Sequence, residues 1–413
     1  MILEENANVS VESDIHFTES LNKEQQFAYN NILDCVFNDI NEFFFIDGPG
    51  GTGKTFLYKA LLATVRCRQL IALVTTSSGV AASLLPGERT GHSHFKIPLQ
   101  TSPDMRYSVS KQSALGQLLK MTKLIVWDEA LMVNKYAFET LDKMLKDITE
   151  FELPFGGKVI VCGGDFRQIL PVVRRGTKDD IMKASLVFSY LWQYFRQLPL
   201  TQNMRSRLDP SFCEYLLKIG NGIENEHACR MIKLPSDIVI DFEDEDKSLK
   251  KLISIVFSKF HTYSNNLNTM MNRIILTPKN KYVDMINNML VKKISGNTFT
   301  YFNFDEVIDK TEGFIHEDFL NSLTSNGIPP HKLVLKRTQF PIRPCFAMTI
   351  NKSQGQTLDF VGIYLHEPVF SHSQLYVALS RAKTRQNIKV LIKPADEKKS
   401  HICCTKNVVF LKF

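Results

Sequence analysis

Phe43-Phe44-Phe45-Ile46-Asp47-Gly48-Pro49-Gly50-Gly51-Thr52-Gly53-Lys54-Thr55 is the stretch on which the reading of this chain turns. It opens as a short apolar run, breaks into a glycine-rich turn and leaves that turn through Lys54-Thr55. A short apolar run closed by turn residues reads as a buried strand. Gly48 to Thr55 spells G-x-x-x-x-G-K-[ST]. The glycines Gly48, Gly50, Gly51 and Gly53, with Thr52 among them, let the backbone wrap so that its N–H groups face inward. The helix that follows adds favourable partial charge at its N-terminus. Such a cradle holds a polyphosphate. Lys54 is placed to reach the β- and γ-phosphates, and the Thr55 hydroxyl to ligate magnesium. A chance match in a glycine-rich turn is the bland alternative, and the strand–loop–helix context argues against it.

Working outward, the same alternation continues. Leu70 to Val74, Leu124 to Trp127 and Val159 to Val161 are further buried-strand candidates. Between them run helical stripes, Leu57, Ala60, Leu61 and Thr64 on one and Ala137, Leu141, Met144, Leu145 and Ile148 on another. Apolar strands between amphipathic helices mark a parallel sheet covered on both faces. The charged stretch from Asp241 to Lys251 reads as a solvated loop. After it the alternation resumes at Ile274 to Leu276, Phe360 to Tyr364 and Ile388 to Ile392. Two α/β domains in tandem are the simplest architecture.

The strand at Leu124 ends in Asp128 and Glu129. Beside a phosphate loop, Asp128 suits magnesium and Glu129 suits the activation of an attacking water. The strand at Val159 ends in Gly164-Asp165-Phe166-Arg167-Gln168, where Gln168 is a candidate γ-phosphate sensor. Arg205 and Arg381 are candidate arginine fingers, although an isolated Arg is more often a surface ion-pair partner.

Composition narrows the class. At 413 residues the chain exceeds one ordinary core. Its net charge of +7 permits a polyanionic partner without proving one. No apolar run reaches the ~20 residues of a membrane span. The eight cysteines form no C-x-x-C pair, so zinc is not expected and a reducing compartment fits best. Residues 1–20 read as a flexible leader without the features of a secretion signal.

Taken in order, these segments resemble the Pif-type (petite integration frequency) ATP-dependent DNA helicases of superfamily 1, in the eukaryotic branch associated with Helitron transposons. The matching pieces include Leu21 to Gln25, the phosphate loop, Thr76 to Ala82, Gly87 to Ser93 and Asp128 to Ala130. They continue with Gly164 to Gln168, Asn203 to Arg205, Phe346 to Thr357 and Leu375 to Ala382. The resemblance implies tandem RecA-like P-loop NTPase domains, at 21–205 and 206–413, with ATP and Mg2+ bound in the cleft between them. It implies that Gln25 reads the adenine edge and that Gln168, Arg205 and Arg381 line the nucleotide. Single-stranded and tailed duplex DNA are the implied partners, with movement from 5′ to 3′. Thr76, Thr90, His92, Thr349, Lys352 and Gln354 are implied contacts of the DNA backbone. Lys96 suits phosphates, and Phe95 or His94 suits base stacking. The family's processes are genome maintenance, including repair, recombination and telomere work. A nuclear location is implied, with mitochondria as the alternative, and no membrane.

Two departures stand out. Leu333-Val334-Leu335-Lys336 runs directly into Arg337-Thr338-Gln339-Phe340-Pro341, where the family carries a small β-barrel, so that subdomain is expected to be missing. Ser373 stands where the family has glycine, which predicts strain if φ is positive there. The competing functions are a DNA-stimulated ATPase that no longer unwinds, an inactive DNA-binding transposon remnant and, more remotely, a small-molecule kinase.

Overall fold

The computed structural model describes residues 16–77, 79, 89–98, 102–103, 107–204, 208–224, 226–227, 231–258, 272–293, 298–302, 332–336, 345–394 and 403–410. The first sheet comprises β1 (Phe43–Asp47), β2 (Ile71–Thr76), β3 (Arg89–Thr90), β4 (Thr122–Asp128), β5 (Val159–Gly164) and β6 (Phe195–Pro199). Their order is β3-β2-β4-β5-β1-β6, and every pairing is parallel.

Alternate residues of these strands feed two cores, as a sheet covered on both faces requires. Phe43, Phe45, Leu73, Ile125, Trp127 and Ile160 pack on one face with the helices Ala114–Met121 and Lys135–Thr149. Phe44, Ile46, Ala72, Val74, Leu124, Val126 and Val161 pack on the other with the helices Lys23–Phe37 and Lys54–Cys67. Trp127 is buried between the rings of Phe138, at 4.5 Å, and Phe95, at 5.6 Å. Burial of one such side chain stabilises by about 1.5–3 kcal/mol.

The second half of the chain holds β7 (Glu226–His227), β8 (Met231–Lys233), β9 (Val239–Ile240), β10 (Arg273–Thr277), β11 (Thr298–Phe302), β12 (Lys332–Lys336), β13 (Ala347–Thr349), β14 (Phe360–Leu365), β15 (Ile388–Ile392) and β16 (Cys404–Lys406). Five of them form a second parallel sheet, ordered β13-β10-β14-β15-β9. One face carries Ile274, Leu276, Val361, Ile363 and Val390. The other carries Ile275, Tyr364 and Leu391 against the helices Glu245–Val256 and Asn280–Lys293.

The expectation of a solvated loop at Asp241–Lys251 is corrected here, because a helix begins at Glu245. The Asp244 carboxylate caps it by accepting the Lys247 N–H at 2.8 Å, and Glu245 and Asp246 suit the positive end of the helix dipole.

β11 and β12 form an antiparallel ladder from Thr298–Lys336 to Phe302–Lys332. Among the described residues this ladder is the only sheet structure between β10 and β13. Arg337 and the residues that follow it to 344 lie outside the described residues, so the junction at Lys336–Arg337 has only its first half among them.

Register places the site. Asp47 at the end of β1 lies opposite Gly164 of β5 and Pro199 of β6, while Thr76 of β2 lies opposite Asp128 of β4. The strands therefore finish level, and their C-terminal loops open on one edge. In open parallel sheets that edge is where ligands bind.

Candidate functional site

The phosphate loop leaves β1 through Gly48, whose N–H donates to Gly164 O at 3.2 Å. Gly51 and Gly53 take φ values of 103° and 80°, which a side chain would resist. At Gly53 a Cβ would also run into the Gln25 amide. The loop is braced from within and from outside. Thr52 Oγ1 donates to Pro49 O at 3.0 Å, the Met204 N–H to Gly51 O at 3.0 Å and Asn203 Nδ2 to Gly50 O at 3.2 Å. The Glu24 carboxylate accepts the backbone N–H groups of Thr201, at 2.7 Å, and Gln202, at 3.1 Å, and so ties the Asn203 segment to the helix Lys23–Phe37. Lys54 is buried, and its ammonium donates to Gly48 O. Thr55 is half-buried at the helix start.

Gln25, expected to read an adenine edge, stands beside the phosphate loop. Its Oε1 accepts the Asn22 N–H at 3.0 Å, and its Nε2 donates to Thr52 O at 2.9 Å. Gln25 thus braces the phosphate loop, and each end of its amide keeps a second hydrogen-bonding position.

The acidic pair stands at the end of β4. Asp128 and Glu129 are buried, and Asp128 Oδ1 accepts the Glu129 N–H at 2.9 Å. Burial raises the Asp128 pKa, and the Lys54 charge and the Tyr58 hydroxyl oppose that shift. Burial, reinforced by the Asp128 charge, pushes Glu129 up to about 7 against the pull of Lys54, Arg381 and Gln354. A carboxylate poised there is suited to take a proton near neutral pH. Glu129 holds a left-handed backbone, φ 52° and ψ 40°, and Ser77 Oγ donates to its carbonyl at 2.5 Å.

A cleft of about 460 Å³ gathers these groups. From the first domain it is lined by Gly50, Lys54, Thr55, Asp128, Glu129 and Gln168. From the second come Gly355, Thr357, Arg381 and Lys383. Gln168 Oε1 is buried without a hydrogen-bond partner, which leaves an acceptor waiting in the cleft wall. The Arg381 guanidinium is buried and clamped. Its Nε donates to Val377 O at 2.9 Å, and its terminal nitrogens to Gln356 O at 3.0 Å and Ser380 Oγ at 2.9 Å. Arg205 lies outside the described residues.

The contents of the cleft suit a nucleoside triphosphate. The Lys54 ammonium and the loop N–H groups offer donors to phosphates, and the unpaired Gln168 amide oxygen can accept from a water beside them. Thr55 and Asp128 are hard oxygen ligands of the type magnesium takes.

The expected DNA contacts divide. Lys96 and Lys352 are exposed, and Thr90, His92 and Thr349 are half-buried. Four expectations are corrected. Phe95 is fully buried against Trp127, so its ring is not available to a base. His94 stacks on Phe95 in the same core, where burial and the Arg89 charge lower its pKa to about 4. Thr76 is fully buried at the end of β2. Gln354 is buried too, and its Nε2 donates across the cleft to Glu129 Oε2 at 3.1 Å.

Ser373 does have a positive φ, 55°, and caps the start of the helix Gln374–Leu379. The strain predicted from the sequence is present. Ser373 Oγ lies 3.2 Å from His372 Nε2, and its N–H donates to Val408 O at 2.8 Å.

Two contacts gave no signal in the sequence. The Tyr376 hydroxyl donates to Asp165 Oδ2 at 2.9 Å, and Arg167 Nε donates to Asn221 Oδ1 at 2.7 Å. Both join the turn after β5 to the second domain.

Two α/β domains with a phosphate loop, an acidic pair and a shared cleft define a two-domain P-loop nucleotide-binding protein. Comparison with known proteins narrows this further. The family model described as "PIF1-like helicase" matches residues 20–230, and the chain belongs to that family. It is 25% identical to the ATP-dependent DNA helicase Pif1 of Campylobacter jejuni, over 89% of this chain and 90% of that protein. It is 27% identical to the ATP-dependent DNA helicase PIF1 of Danio rerio, over 90% of this chain but only 61% of that longer protein. Among solved structures, Pif1 helicase from Candida albicans superposes with a TM-score of 0.62 at 20% identity, covering 92% of this chain and 96% of that one. Pif1 from Bacteroides in complex with ADP-AlF3 and ssDNA gives 0.60 at 22% identity, covering 94% and 99%. These likenesses establish tandem RecA-like domains.

Proposed function

We propose that this chain is an ATP- and Mg2+-dependent DNA helicase that moves 5′ to 3′ on single-stranded DNA. The observation that carries the proposal is the shared cleft, in which Lys54, Glu129 and Gln168 of one domain meet Arg381 of the other. In hydrolysis, the oxygen of a water bonds to the γ-phosphorus while Glu129 takes its proton. The bond from that phosphorus to the β–γ bridging oxygen breaks, and ADP leaves with the electron pair. Lys54 and Arg381 place positive charge where negative charge develops. Gln168 is the γ-phosphate sensor in this reading. Arg205 is a second candidate for the same charge as Arg381. Mg2+ held by Thr55 and Asp128 would supply further positive charge at the phosphates. Because both domains border one nucleotide, hydrolysis and domain movement are linked.

DNA as the polyanion follows from the family and from the relatives' names. Lys96, Lys352, Thr90, His92 and Thr349 are the contacts proposed for it, and the processes proposed are those of genome maintenance in the nucleus. The test is ATP hydrolysis with and without single-stranded DNA, beside unwinding of a 5′-tailed duplex. Both activities are expected. Hydrolysis without DNA stimulation would sink the motor reading, and stimulation without unwinding would reduce the protein to a translocase or DNA-stimulated ATPase. Lys54→Ala is expected to lower turnover at least ~100-fold by removing the phosphate-facing cation. Retained turnover would contradict the assignment of the loop.

A further inference from the structure

Gln354 lies in the second domain, yet its Nε2 reaches the carboxylate of Glu129 at 3.1 Å, with both side chains buried. From the ATP-hydrolysing reading above, we infer that Gln354 is a positioning residue for Glu129, through which the second domain aligns the base.

The support around Gln354 is specific. It follows the short helical turn Ile350–Ser353 and precedes Gly355, whose φ of 82° turns the chain sharply. The Gln356 N–H donates to Ser353 O at 3.2 Å and closes that turn. Arg381 then clamps both ends, donating to Ser353 O at 3.4 Å and Gln356 O at 3.0 Å. The amide of Gln354 is thus carried on a loop fixed by the arginine that borders the nucleotide. Its Oε1 is buried without a hydrogen-bond partner, so the bond to Glu129 is what orients the amide. A flipped amide would turn an oxygen toward the carboxylate and lose that bond.

Glu129 needs such a partner. Its backbone is fixed in the left-handed region, but its carboxylate must also aim one oxygen at a water. Gln354 occupies Oε2 and leaves Oε1 for that purpose. When the domains part, Gln354 leaves with the second sheet and the carboxylate loses this restraint. The base is then aligned only while the cleft is closed, and unproductive hydrolysis in the open state is suppressed. In this arrangement Gln354 does not touch DNA. Its neighbours Lys352, which is exposed, and Thr349, which is half-buried, remain available for that.

The test uses the full chain with saturating oligo-dT. Gln354→Met keeps the length of the side chain and removes the donor. It is expected to lower kcat for ATP about 10- to 100-fold, because misaligning a catalytic group by ~1 Å costs on that order. The KM for ATP and the affinity for labelled oligo-dT are expected to stay within about threefold, as for an interaction needed only in the chemical step. In single turnover, adding Gln354→Met to Glu129→Gln should cause no further loss, because the two groups act as one unit. Gln354→Ala is the second variant, should the first fail to fold, and it must give the same pattern. Unchanged kcat in a folded variant overturns the inference, as does a loss that adds to that of Glu129→Gln. Weaker oligo-dT binding with normal kcat at saturation also overturns it and restores Gln354 to the DNA interface. Failure of the wild-type chain to hydrolyse ATP would overturn the reading of the whole site instead.

Discussion

Tyr376→Phe removes one oxygen and tests how tightly the two domains are held together. The hydroxyl donates to Asp165 Oδ2 at 2.9 Å, and both residues are at most 2% exposed. Burial raises the tyrosine pKa well above its usual value, and Asp165 raises it further, so the group is a proton donor at every working pH. A buried hydrogen bond to a charged acceptor contributes about 1.5–3 kcal/mol. Asp165 retains the Arg167 N–H at 3.0 Å and the Arg167 guanidinium at 3.3 Å, which places the loss at the lower end of that range. About 1.5–2 kcal/mol corresponds to a roughly 10- to 30-fold shift in an equilibrium. Because this bond crosses between the domains, the shift falls on cleft closure and lowers the competent fraction of the enzyme. The kcat/KM for ATP, measured with saturating single-stranded DNA, is therefore expected to fall about 10- to 30-fold. The midpoint of thermal unfolding should move by no more than a few degrees, since neither sheet loses a core contact. A kcat/KM within twofold of wild type would refute the reasoning, because closure would then not depend on this bond.

Two further outcomes follow. With Glu129 pushed up to about 7, first by burial and then by the Asp128 charge, the free enzyme has its base protonated below that pH and ionised above it. The kcat/KM for ATP should therefore fall about tenfold per pH unit below ~7 and level off above, and a flat profile from pH 6 to 8 would remove Glu129 as the base. At Ser373, glycine would relieve about 1–2 kcal/mol of left-handed strain. It would also give up a hydrogen bond worth about 0.5–1.5 kcal/mol and add ~0.4–1 kcal/mol of unfolded-state entropy. Ser373→Gly should thus leave thermal stability nearly unchanged, whereas Ser373→Val, β-branched at positive φ, should destabilise by at least ~2 kcal/mol. Equal melting curves for the two variants would contradict the φ of 55°.

The phosphate loop and the acidic pair were legible because their chemistry is local. A strand, a turn and a helix start fix where Lys54, Thr55, Asp128 and Glu129 point, and all of that is written in consecutive residues. The buried strands were legible for the same reason, as was the strain at Ser373. The helix Glu245–Val256 was misread because its acidic cap, Asp244 to Asp246, looks like a loop when taken alone. The apolar stripe Leu249, Leu252, Ile253 and Val256 was the signal that overrides it. Phe95 and Thr76 were misplaced because an aromatic or a hydroxyl near a segment expected to face DNA does not reveal which way its side chain points. Gln354 and Tyr376 were beyond reach in a more basic way. Their partners lie 225 and 211 residues away, and no periodicity carries that information.

The distribution of bonds also says what kind of motion the fold permits. The apolar clusters lie almost wholly within one domain or the other, with Ile169 as the residue of the first domain that joins the core of the second. Among the described residues, four hydrogen bonds are seen between the domains. Gln354 meets Glu129, Tyr376 meets Asp165, Arg167 meets Asn221, and His372 Nε2 lies 3.4 Å from Phe166 O. At about 0.5–3 kcal/mol each, such bonds set an opening cost that differential binding of a nucleotide can supply, whereas separating an apolar core would cost far more. Three of the four gather on the Asp165–Arg167 turn after β5, which leads directly to Gln168. The candidate γ-phosphate sensor and bonds that join the domains are thus parts of one short loop. On the proposed reading, loss of the γ-phosphate would therefore act on the same turn that carries these interdomain bonds.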